Sequence, residues 1–367
     1  MKILWFTWKD KKNPLAGGAE SVNENLAKRL VEHGHQVMIV TAGFAGSKCE
    51  EIVDGYKIVR VGNRFSVYWR AHKYYKKNLN GWADLVIDEI NTIPFFAKYY
   101  VNEKNILFIH QLCRQIWFYE MFFPASLIGY WLEPFYLRLL RDKVVVTVSE
   151  SSKNDLIKFG FKPKNIFIIS EGIENAFSSI AEDANKFTHP TMLALGSIRP
   201  MKRTGHIIRA FEIARQNIPD LQLIIAGSPE GRYGKKIVWT IQNNRYRNYI
   251  DYRGRVSRDE KMELMRKSQV ICAASVKEGW GLIVAEANSA GTPAVVYDVD
   301  GLRDAVKDHE TGLVCHANTP EDMAAHVVSL LKNHDEYDRL RQNARQWSKT
   351  INFERSYNDF INVINNL

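Results

Sequence analysis

The sequence lacks the features that mark several protein classes. Its four cysteines are scattered over 367 residues with no CxxC pair and no Cys/His cluster, so neither structural zinc nor a disulfide framework is expected. No run reaches the roughly 18 uninterrupted apolar residues of a membrane-spanning helix, since the most apolar stretch, 116–140, contains Glu120, Glu133 and Arg138. The N-terminus has too short an apolar core for a signal peptide. These absences favour a folded protein of the reducing cytoplasm.

Basic residues, in contrast, are in excess. Lys and Arg number 50 against 41 Asp and Glu, which gives a net charge of +9. Between residues 199 and 255, twelve basic side chains accompany only four acidic ones. Such a balance suits phosphate-bearing ligands or an anionic membrane surface. No nucleic-acid-binding motif accompanies the basic stretch, so nucleic acid is not an expected partner.

Apolar runs of strand length alternate with helical patterns along nearly the whole chain. Thirteen such runs are predicted to be strands: Lys2–Thr7, Gln36–Thr41, Lys57–Val61, Asp84–Asp88, Asn105–His110, Val144–Ser149, Asn165–Ile169, Thr191–Leu195, Leu221–Ala226, Ile250–Arg253, Val270–Ala274, Ala294–Tyr297 and Gly312–Val314. The alternation predicts parallel, doubly wound sheets with helices on both faces.

A polar stretch, Ser178–His189, separates the two series and is interpreted as a linker. We therefore expect an N-terminal domain over residues 1–175, to which a C-terminal helix within 350–367 returns. A second domain is expected over 176–349, with a ligand cleft between the carboxyl edges of the two sheets.

The most informative segment is Lys277–Pro293, which follows a predicted strand and opens a helix. Gly279 and Gly281 let backbone N–H groups approach a ligand closely, and the helix N-terminus favours phosphate. Two carboxylates, Glu278 and Glu286, flank this loop. A phosphate-binding loop beside carboxylates suits a ligand that carries both phosphate and vicinal hydroxyls, which describes a nucleotide sugar.

This segment resembles the E-x7-E motif of the retaining GT-B glycosyltransferases of family 4, the glycogen-synthase-like group. Motifs over nearly the full length resemble the same family: the glycine-rich loop Ala16–Glu20, the strand-end histidine His110, the strand end Val148-Ser149-Glu150, and the turns Glu171-Gly172-Ile173, Gly254-Arg255-Val256 and Phe353-Glu354. The resemblance implies a GT-B fold of two Rossmann-like α/β domains. It also implies retention of the anomeric configuration, with the leaving phosphate as base, and no metal or other cofactor.

The resemblance further implies a role for each matching residue. Glu286 hydrogen-bonds the ribose hydroxyls, Glu278 holds hydroxyls of the donor sugar, and Lys202 neutralises the diphosphate. His110 contacts the donor sugar through its ring or its backbone. The same matches assign donor binding to Gly17, Gly18, Arg255, Val256, Gly279, Trp280, Gly281, Leu282 and Ile283.

One motif departs from the family pattern, which usually reads Gly-Arg-Leu-x-x-x-Lys-Gly after the first strand of the second domain. Here residues 196–203 read Gly-Ser-Ile-Arg-Pro-Met-Lys-Arg. Lys202 matches the family lysine, but Ser197 stands where the family has arginine. Because a diphosphate leaving group develops negative charge that fixed cations stabilise, we expect Arg199 or Arg203 to supply the missing cation.

These features predict a hexosyltransferase that uses a UDP-sugar, with glucose favoured because Glu278 suits an equatorial hydroxyl. The expected acceptor is a glycan or lipid-linked glycan of the cell envelope, and the expected location is the cytoplasm, including the inner face of the membrane. A GT-B epimerase or hydrolase and a non-catalytic nucleotide-sugar-binding subunit remain alternatives. A dehydrogenase is disfavoured because no G-x-G-x-x-G follows the first strand.

Three further segments allow more than one interpretation. The aromatic and basic segment 64–77 is either an interfacial membrane helix or a helix with one buried face. The aromatic segment 117–132 is either a lipid- or acceptor-facing surface or ordinary core packing. Asp298-Val299-Asp300 mimics a metal-binding DxD motif but is expected to be a turn.

Overall fold

The computed structural model describes residues 1–173 and 186–367, and the chain divides into two compact units. The first contains Met1–Arg114, Leu127–Gly172 and Phe353–Leu367, and the second contains Gln115–Ser126 and Ile173–Asn352. The sequence assigns residues 115–126 to the first domain, whereas their contacts group them with the second unit. The predicted linker lies outside the described residues as far as residue 185.

The first unit contains an eight-stranded sheet. Its strands are β1 (Lys2–Phe6), β2 (Gln36–Thr41), β3 (Glu50–Val53), β4 (Tyr56–Arg60), β5 (Leu85–Glu89), β6 (Lys104–Phe108), β7 (Val145–Thr147) and β8 (Ile166–Ile168). They lie in the order β3-β4-β2-β1-β5-β6-β7-β8, and only the β3–β4 pair is antiparallel among these described strands. The prediction lacks β3 because this edge strand begins with two glutamates and forms no apolar run.

The second unit contains a six-stranded, wholly parallel sheet. Its strands are β9 (Thr191–Leu195), β10 (Gln222–Ala226), β11 (Ile250–Gly254), β12 (Val270–Ala273), β13 (Ala294–Val296) and β14 (Gly312–Val314). Their order is β11-β10-β9-β12-β13-β14. Successive residues of β9 alternate between two buried cores, with Met192 in one and Leu193 in the other. Both faces are therefore covered, as the continuous apolar runs predict.

Helices connect the strands of both sheets. They are α1 (Gly18–Glu32), α2 (Val67–Tyr74), α3 (Ile116–Glu120), α4 (Ala125–Leu140), α5 (Glu150–Lys158), α6 (Thr204–Ala214), α7 (Gly231–Gln242), α8 (Arg258–Lys267), α9 (Leu282–Ser289), α10 (Pro320–Lys332), α11 (His334–Ser348) and α12 (Phe353–Asn365). A π-helical turn and several 3-10 turns are shorter: Tyr75–Leu79, Ala97–Tyr99, Pro163–Asn165, Pro200–Lys202 and Arg247–Tyr249. Helix α2 buries Val67 and Ala71 and exposes Trp69, so the segment 64–77 has one buried face.

The last helix, α12, belongs to the first unit. Its Phe360 ring stacks on Trp5 of β1 with the ring centroids 6.3 Å apart. The Glu354 carboxylate accepts a 2.7 Å hydrogen bond from Arg29 of α1. Gly172 permits this packing, because a Cβ there would lie 2.4 Å from the backbone nitrogen of Phe353.

In both sheets the strand order reverses beside the first strand of the series. The reversal lies between β1 and β5 in the first unit and between β9 and β12 in the second. Open α/β sheets bind ligands outside the carboxyl ends of the strands at such points. Among the residues that the structure describes, no helix combines the length and apolar character needed to cross a bilayer.

Candidate functional site

A small pocket of the second unit lies at the carboxyl ends of β9 and β12, where the strand order reverses. Its lining includes five residues from the segments that follow these strands and from the starts of α6 and α9: Gly196, Lys202, Thr204, Ser275 and Ile283. The floor is apolar and comes from the strands themselves. The fold therefore places the predicted lysine in the kind of crevice where doubly wound sheets bind ligands.

Lys202 and Glu278 meet in this part of the second unit although 76 residues separate them in sequence. The Lys202 ammonium lies 2.5 Å from Glu278 Oε1, and Ser275 Oγ donates to the same oxygen over 2.6 Å. Both charged side chains are largely buried, with 21% and 16% of their surfaces exposed. A fixed cation therefore stands beside a hydrogen-bond acceptor, an arrangement that suits a phosphorylated sugar.

The loop that carries Glu278 is fixed by the turn after β13. The Glu278 backbone N–H donates to the carbonyl of Asp300 over 2.9 Å, and the Gly281 N–H donates to that of Gly301 over 3.0 Å. Gly301 has a φ of +80°, and a Cβ there would lie 2.3 Å from the Glu278 carbonyl oxygen. Only glycine allows this approach, so Gly301 positions the Glu278 loop.

The Asp298-Val299-Asp300 segment forms that turn. Asp300 accepts a 3.0 Å hydrogen bond from Lys277, and both aspartates pair with Arg303. Although partial burial opposes ionisation, the hydrogen bond from Lys277 and the nearby cations hold the pKa of Asp300 below its usual value. The carboxylates of Asp298 and Asp300 therefore form ion pairs that stabilise the turn.

Glu286 lies in α9, about one helical turn after Leu282. Its Oε1 accepts a 2.6 Å hydrogen bond from Lys261 of α8, and its side chain is 24% exposed. The lysine holds the carboxylate in one orientation at an accessible position. An ionised, oriented carboxylate can accept two hydrogen bonds from vicinal hydroxyls.

The backbone N–H groups of the loop that carries Glu278 are less available to a ligand than the sequence predicts. The Gly281 N–H donates to Gly301, and the Leu282 N–H donates to the carbonyl of Trp280 over 2.9 Å. Trp280 packs beside Trp347, with the ring centroids 6.5 Å apart, and joins a core cluster of the second unit. If Gly281 and Leu282 contact the nucleotide sugar as predicted, the contacts must therefore come from atoms other than these backbone nitrogens.

Both candidate arginines lie beside α3, within the second unit. Arg199 Nη1 is 3.9 Å from Glu120 Oε2, and its buried Nε has no hydrogen-bond partner among the described residues. Arg203 donates to the Tyr119 hydroxyl over 3.1 Å. The guanidinium of Arg199 thus keeps hydrogen-bonding capacity inside the loop that carries Lys202, and it is the stronger candidate for the missing cation.

The predicted base-binding turn begins at Gly254, the last residue of β11. Gly254 has a φ of +62°, and its carbonyl accepts a 2.7 Å hydrogen bond from the Gly227 N–H. Val256 packs against the core on one face of the sheet, while Arg255 is exposed. The turn therefore has a local structural function, and its contact with a base stays a prediction.

In the first unit, the predicted glycine loop Ala16–Glu20 overlaps the start of α1, whose first residue is Gly18. Gly17 is the N-cap residue, and its N–H donates to Glu20 Oε2 over 2.7 Å. The Lys9 ammonium lies 3.3 Å from the same carboxylate oxygen. Both Gly17 and Gly18 are exposed, so their backbone is accessible at the helix start.

His110 follows β6 and is buried in a polar network of the first unit. Its Nδ1 lies 2.7 Å from Glu171 Oε1, and its Nε2 lies 3.0 Å from Asn23 Oδ1. Its carbonyl oxygen accepts a 2.9 Å hydrogen bond from Ser152 Oγ. Both ring nitrogens and the carbonyl are thus engaged within this unit, and the predicted sugar contact of His110 stays a prediction.

Burial and neighbouring charges shift the pKa values of His110 and Glu89 in this network. Burial opposes protonation of His110, but hydrogen bonding to Glu171 and the charges of Glu171, Glu89 and Glu20 raise its pKa. Burial also raises the pKa of Glu89 to about 7, although this carboxylate accepts hydrogen bonds from Trp5 and Asn23. His110 is therefore one member of a buried, hydrogen-bonded polar network.

The sequence motifs do not identify the residues that hold Glu278 and Glu286 in place. Ser275 comes directly after a predicted strand and three residues before Glu278, a position that could have indicated a site residue. Lys261 lies within a highly charged helix, where nothing distinguishes it from its neighbours. Gly301 is visible in the sequence only as part of an Asp-Gly turn.

Comparison with known proteins identifies the family. Residues 178–347 match the family model of glycosyl transferases group 1, and residues 16–177 match that of glycosyltransferase family 4. Together the two models cover all but the ends of the chain. The protein belongs to the family 4 glycosyltransferases of the GT-B fold, as the sequence motifs predict.

Individual relatives agree with this assignment. An uncharacterized glycosyltransferase of Haemophilus influenzae is 24% identical, over 95% of this chain and 96% of the relative. N-acetyl-alpha-D-glucosaminyl L-malate synthase of Bacillus anthracis is 21% identical, over 91% of this chain and 89% of the relative. These relatives and the family models support a transferase.

Solved structures confirm the fold. Sucrose-phosphate synthase from Thermosynechococcus elongatus matches with a TM-score of 0.80 and 16% identity, over 100% of this chain and 98% of that one. Anabaena HepE in complex with UDP-glucose matches with a TM-score of 0.77 and 16% identity, over the full length of both chains. Because both identities are 16%, the similarity to these two structures shows the GT-B fold and no more.

Proposed function

We propose that this protein transfers a hexose, with glucose favoured, from a UDP-sugar to a glycan or lipid-linked glycan in envelope polysaccharide biosynthesis. The observation that carries the proposal is the Lys202–Glu278 pair at the pocket between β9 and β12. It supplies a cation for a diphosphate and a carboxylate for sugar hydroxyls at one point. The structure of HepE with UDP-glucose supports the choice of donor.

In this proposal the donor lies along the carboxyl edge of the second sheet. Glu286 binds the ribose hydroxyls, Lys202 and one arginine neutralise the diphosphate, and Glu278 orients the sugar. Because these fixed cations neutralise the leaving group, the transfer needs no metal ion. The reaction retains the anomeric configuration, and the departing phosphate takes the proton of the acceptor hydroxyl.

The test is a reaction of the full chain with UDP-glucose and lipid-linked glycans extracted from bacterial membranes. We expect glucose on the glycan together with an equal amount of released UDP. Free glucose or an epimerised donor as the main product, at every extract concentration, would contradict transfer and indicate a hydrolase or an epimerase.

The missing family arginine gives a first mutational prediction. Arg199→Met should lower kcat/KM for UDP-glucose roughly tenfold or more, because the guanidinium is expected to form a charge-assisted bond with the diphosphate. Arg203→Met should have the smaller effect, since its guanidinium is already bonded to Tyr119. Steady-state kinetics of the two variants measure the difference. Near wild-type kinetics for both would mean that another group replaces the family arginine.

A surface of the first unit supports the membrane part of the proposal. Helix α4 turns its apolar side chains outward: Leu127, Ile128, Trp131, Leu132, Phe135 and Leu139 are between 38% and 69% exposed. Its opposite face buries Glu133 and Tyr136. The exposed side chains recur at helical spacing and form one face, and Arg138 and Arg141 are exposed near its C-terminal end. An apolar face with cations at one end suits the interface of an anionic bilayer.

This face gives a second prediction. Trp131→Glu and Phe135→Glu should each abolish most of the binding to vesicles of phosphatidylglycerol, measured by co-sedimentation, because each places a charge in the apolar interface. The matched control is Trp239→Glu, which changes an exposed tryptophan of α7 in the second unit. Equal vesicle binding by all three variants and the wild type would exclude the α4 face as the membrane contact.

A further inference from the structure

Three side chains with metal-binding groups meet in the second unit, apart from the Lys202–Glu278 pair. Cys315 directly follows β14, whereas Asp322 and His326 belong to α10. The two α10 residues are four positions apart and therefore share a face of the helix. One ligand atom from each residue, a thiol sulfur, a carboxylate oxygen and an imidazole nitrogen, lies within 4.8 Å of the other two.

Hydrogen bonds that involve backbone N–H groups hold Cys315 and Asp322 in place. The Cys315 N–H donates to the carbonyl of Val296 over 2.8 Å, which extends the β13–β14 ladder. The Thr319 side chain caps α10 by accepting from the Asp322 N–H over 3.2 Å. One oxygen of Asp322 accepts from the Ala317 N–H over 2.7 Å. The thiol and the carboxylate are therefore positioned by a strand end and a capped helix.

Contacts with Asp322 hold the imidazole of His326 in place. His326 Nδ1 lies 2.9 Å from the carbonyl oxygen of Asp322. The same nitrogen lies 3.4 Å from Asp322 Oδ1, so the imidazole and the carboxylate are close enough to bind one ion.

We propose that Cys315, Asp322 and His326 bind a zinc ion that ties the end of β14 to α10. A thiolate, a carboxylate and an imidazole together form a donor set that zinc prefers, whereas calcium and magnesium prefer oxygen ligands. The thiol gives its proton to solvent when the metal binds. The fourth position of the tetrahedral ion is taken by water or by the exposed His316, whose ring centroid is 5.4 Å from that of His326.

The spacing explains why the sequence does not predict this site. The ligands follow a C-x6-D-x3-H pattern, which has none of the paired cysteines or histidines of common zinc motifs. They meet only because β14 ends where the first turns of α10 begin. The ion would stabilise the second unit and take no part in the proposed transfer, so the two proposals can fail separately.

The experiment uses the full chain, freed of metal by a chelator and then titrated with Zn²⁺ and, separately, with Co²⁺. We expect one zinc per chain by elemental analysis after dialysis, and a raised unfolding temperature. The cobalt form should show a thiolate-to-cobalt absorption band in the near ultraviolet. Less than half an equivalent of zinc, or cobalt binding without that band, would overturn the proposal.

Variants separate this site from adventitious binding. Cys315→Ser should remove the cobalt–thiolate band, and His326→Gln should weaken zinc binding at least roughly tenfold. The second variant changes a half-buried residue of α10 and so keeps the test valid if the first fails to fold. The matched controls are Cys49→Ser and His334→Gln, two exposed residues outside the cluster, which should bind zinc as the wild type does. Unchanged zinc affinity in His326→Gln would overturn the assignment.

Discussion

Replacement of Lys202 by methionine should lower kcat/KM for UDP-glucose by roughly 10²- to 10³-fold, the usual cost of losing one group that stabilises developing charge. The Lys202 ammonium lies in a partly buried pocket, 2.5 Å from Glu278, where water screens charge poorly. Methionine keeps the length of the side chain and removes only the cation. The effect should fall mainly on kcat, because the negative charge of the diphosphate grows as the sugar bond breaks.

Two further variants control this experiment. Lys235→Met removes an exposed cation of α7 and should leave the kinetics unchanged. Lys202→Arg keeps the charge and should recover part of the lost rate. A Lys202→Met enzyme that folds normally and stays within about twofold of wild-type kcat/KM would remove Lys202 from the catalytic machinery.

Glu286→Ala should weaken UDP binding by roughly 1–3 kcal/mol, the range for a charge-assisted hydrogen bond. The structure places this carboxylate at an accessible position and orients it through Lys261. The decisive comparison is between UDP and 2′-deoxy-UDP, measured by calorimetry. The wild type should bind the deoxy analogue more weakly, and the variant should bind both equally, because the group that distinguishes them is gone.

The matched control is Glu263→Ala, which removes a carboxylate of α8 that pairs with Arg266 and Lys267. It should retain the preference for UDP. If Glu286→Ala still prefers UDP to its deoxy analogue as strongly as the wild type, then Glu286 does not bind the ribose.

Much of the fold follows from local patterns of the chain. The apolar runs that become β9, β10, β12 and β13 are buried on both faces, so their continuous apolar composition and short length indicate strands. The edge strand β3 escapes prediction because it begins with two glutamates and forms no apolar run. Tertiary pairing rather than local apolar pattern decides such elements.

The candidate site is only partly visible in the sequence. The motif around Glu278 indicates a phosphate-binding loop, but the contact with Lys202 depends on two strands that are adjacent only in the folded sheet. The sequence likewise suggests His110 as a site residue, yet the structure surrounds its ring with Glu171 and Asn23. Motifs indicate which residues matter, whereas the ion pairs and hydrogen bonds that hold them require the structure.

Calorimetric titration of the full chain with UDP-glucose, GDP-glucose and ADP-glucose tests the central claim most directly. We expect one binding site with a clear preference for UDP-glucose, and weaker binding in Glu286→Ala. Absence of UDP-glucose binding by the folded wild type, or unchanged affinity in Glu286→Ala, would contradict a UDP-sugar site at the carboxyl ends of β9 and β12.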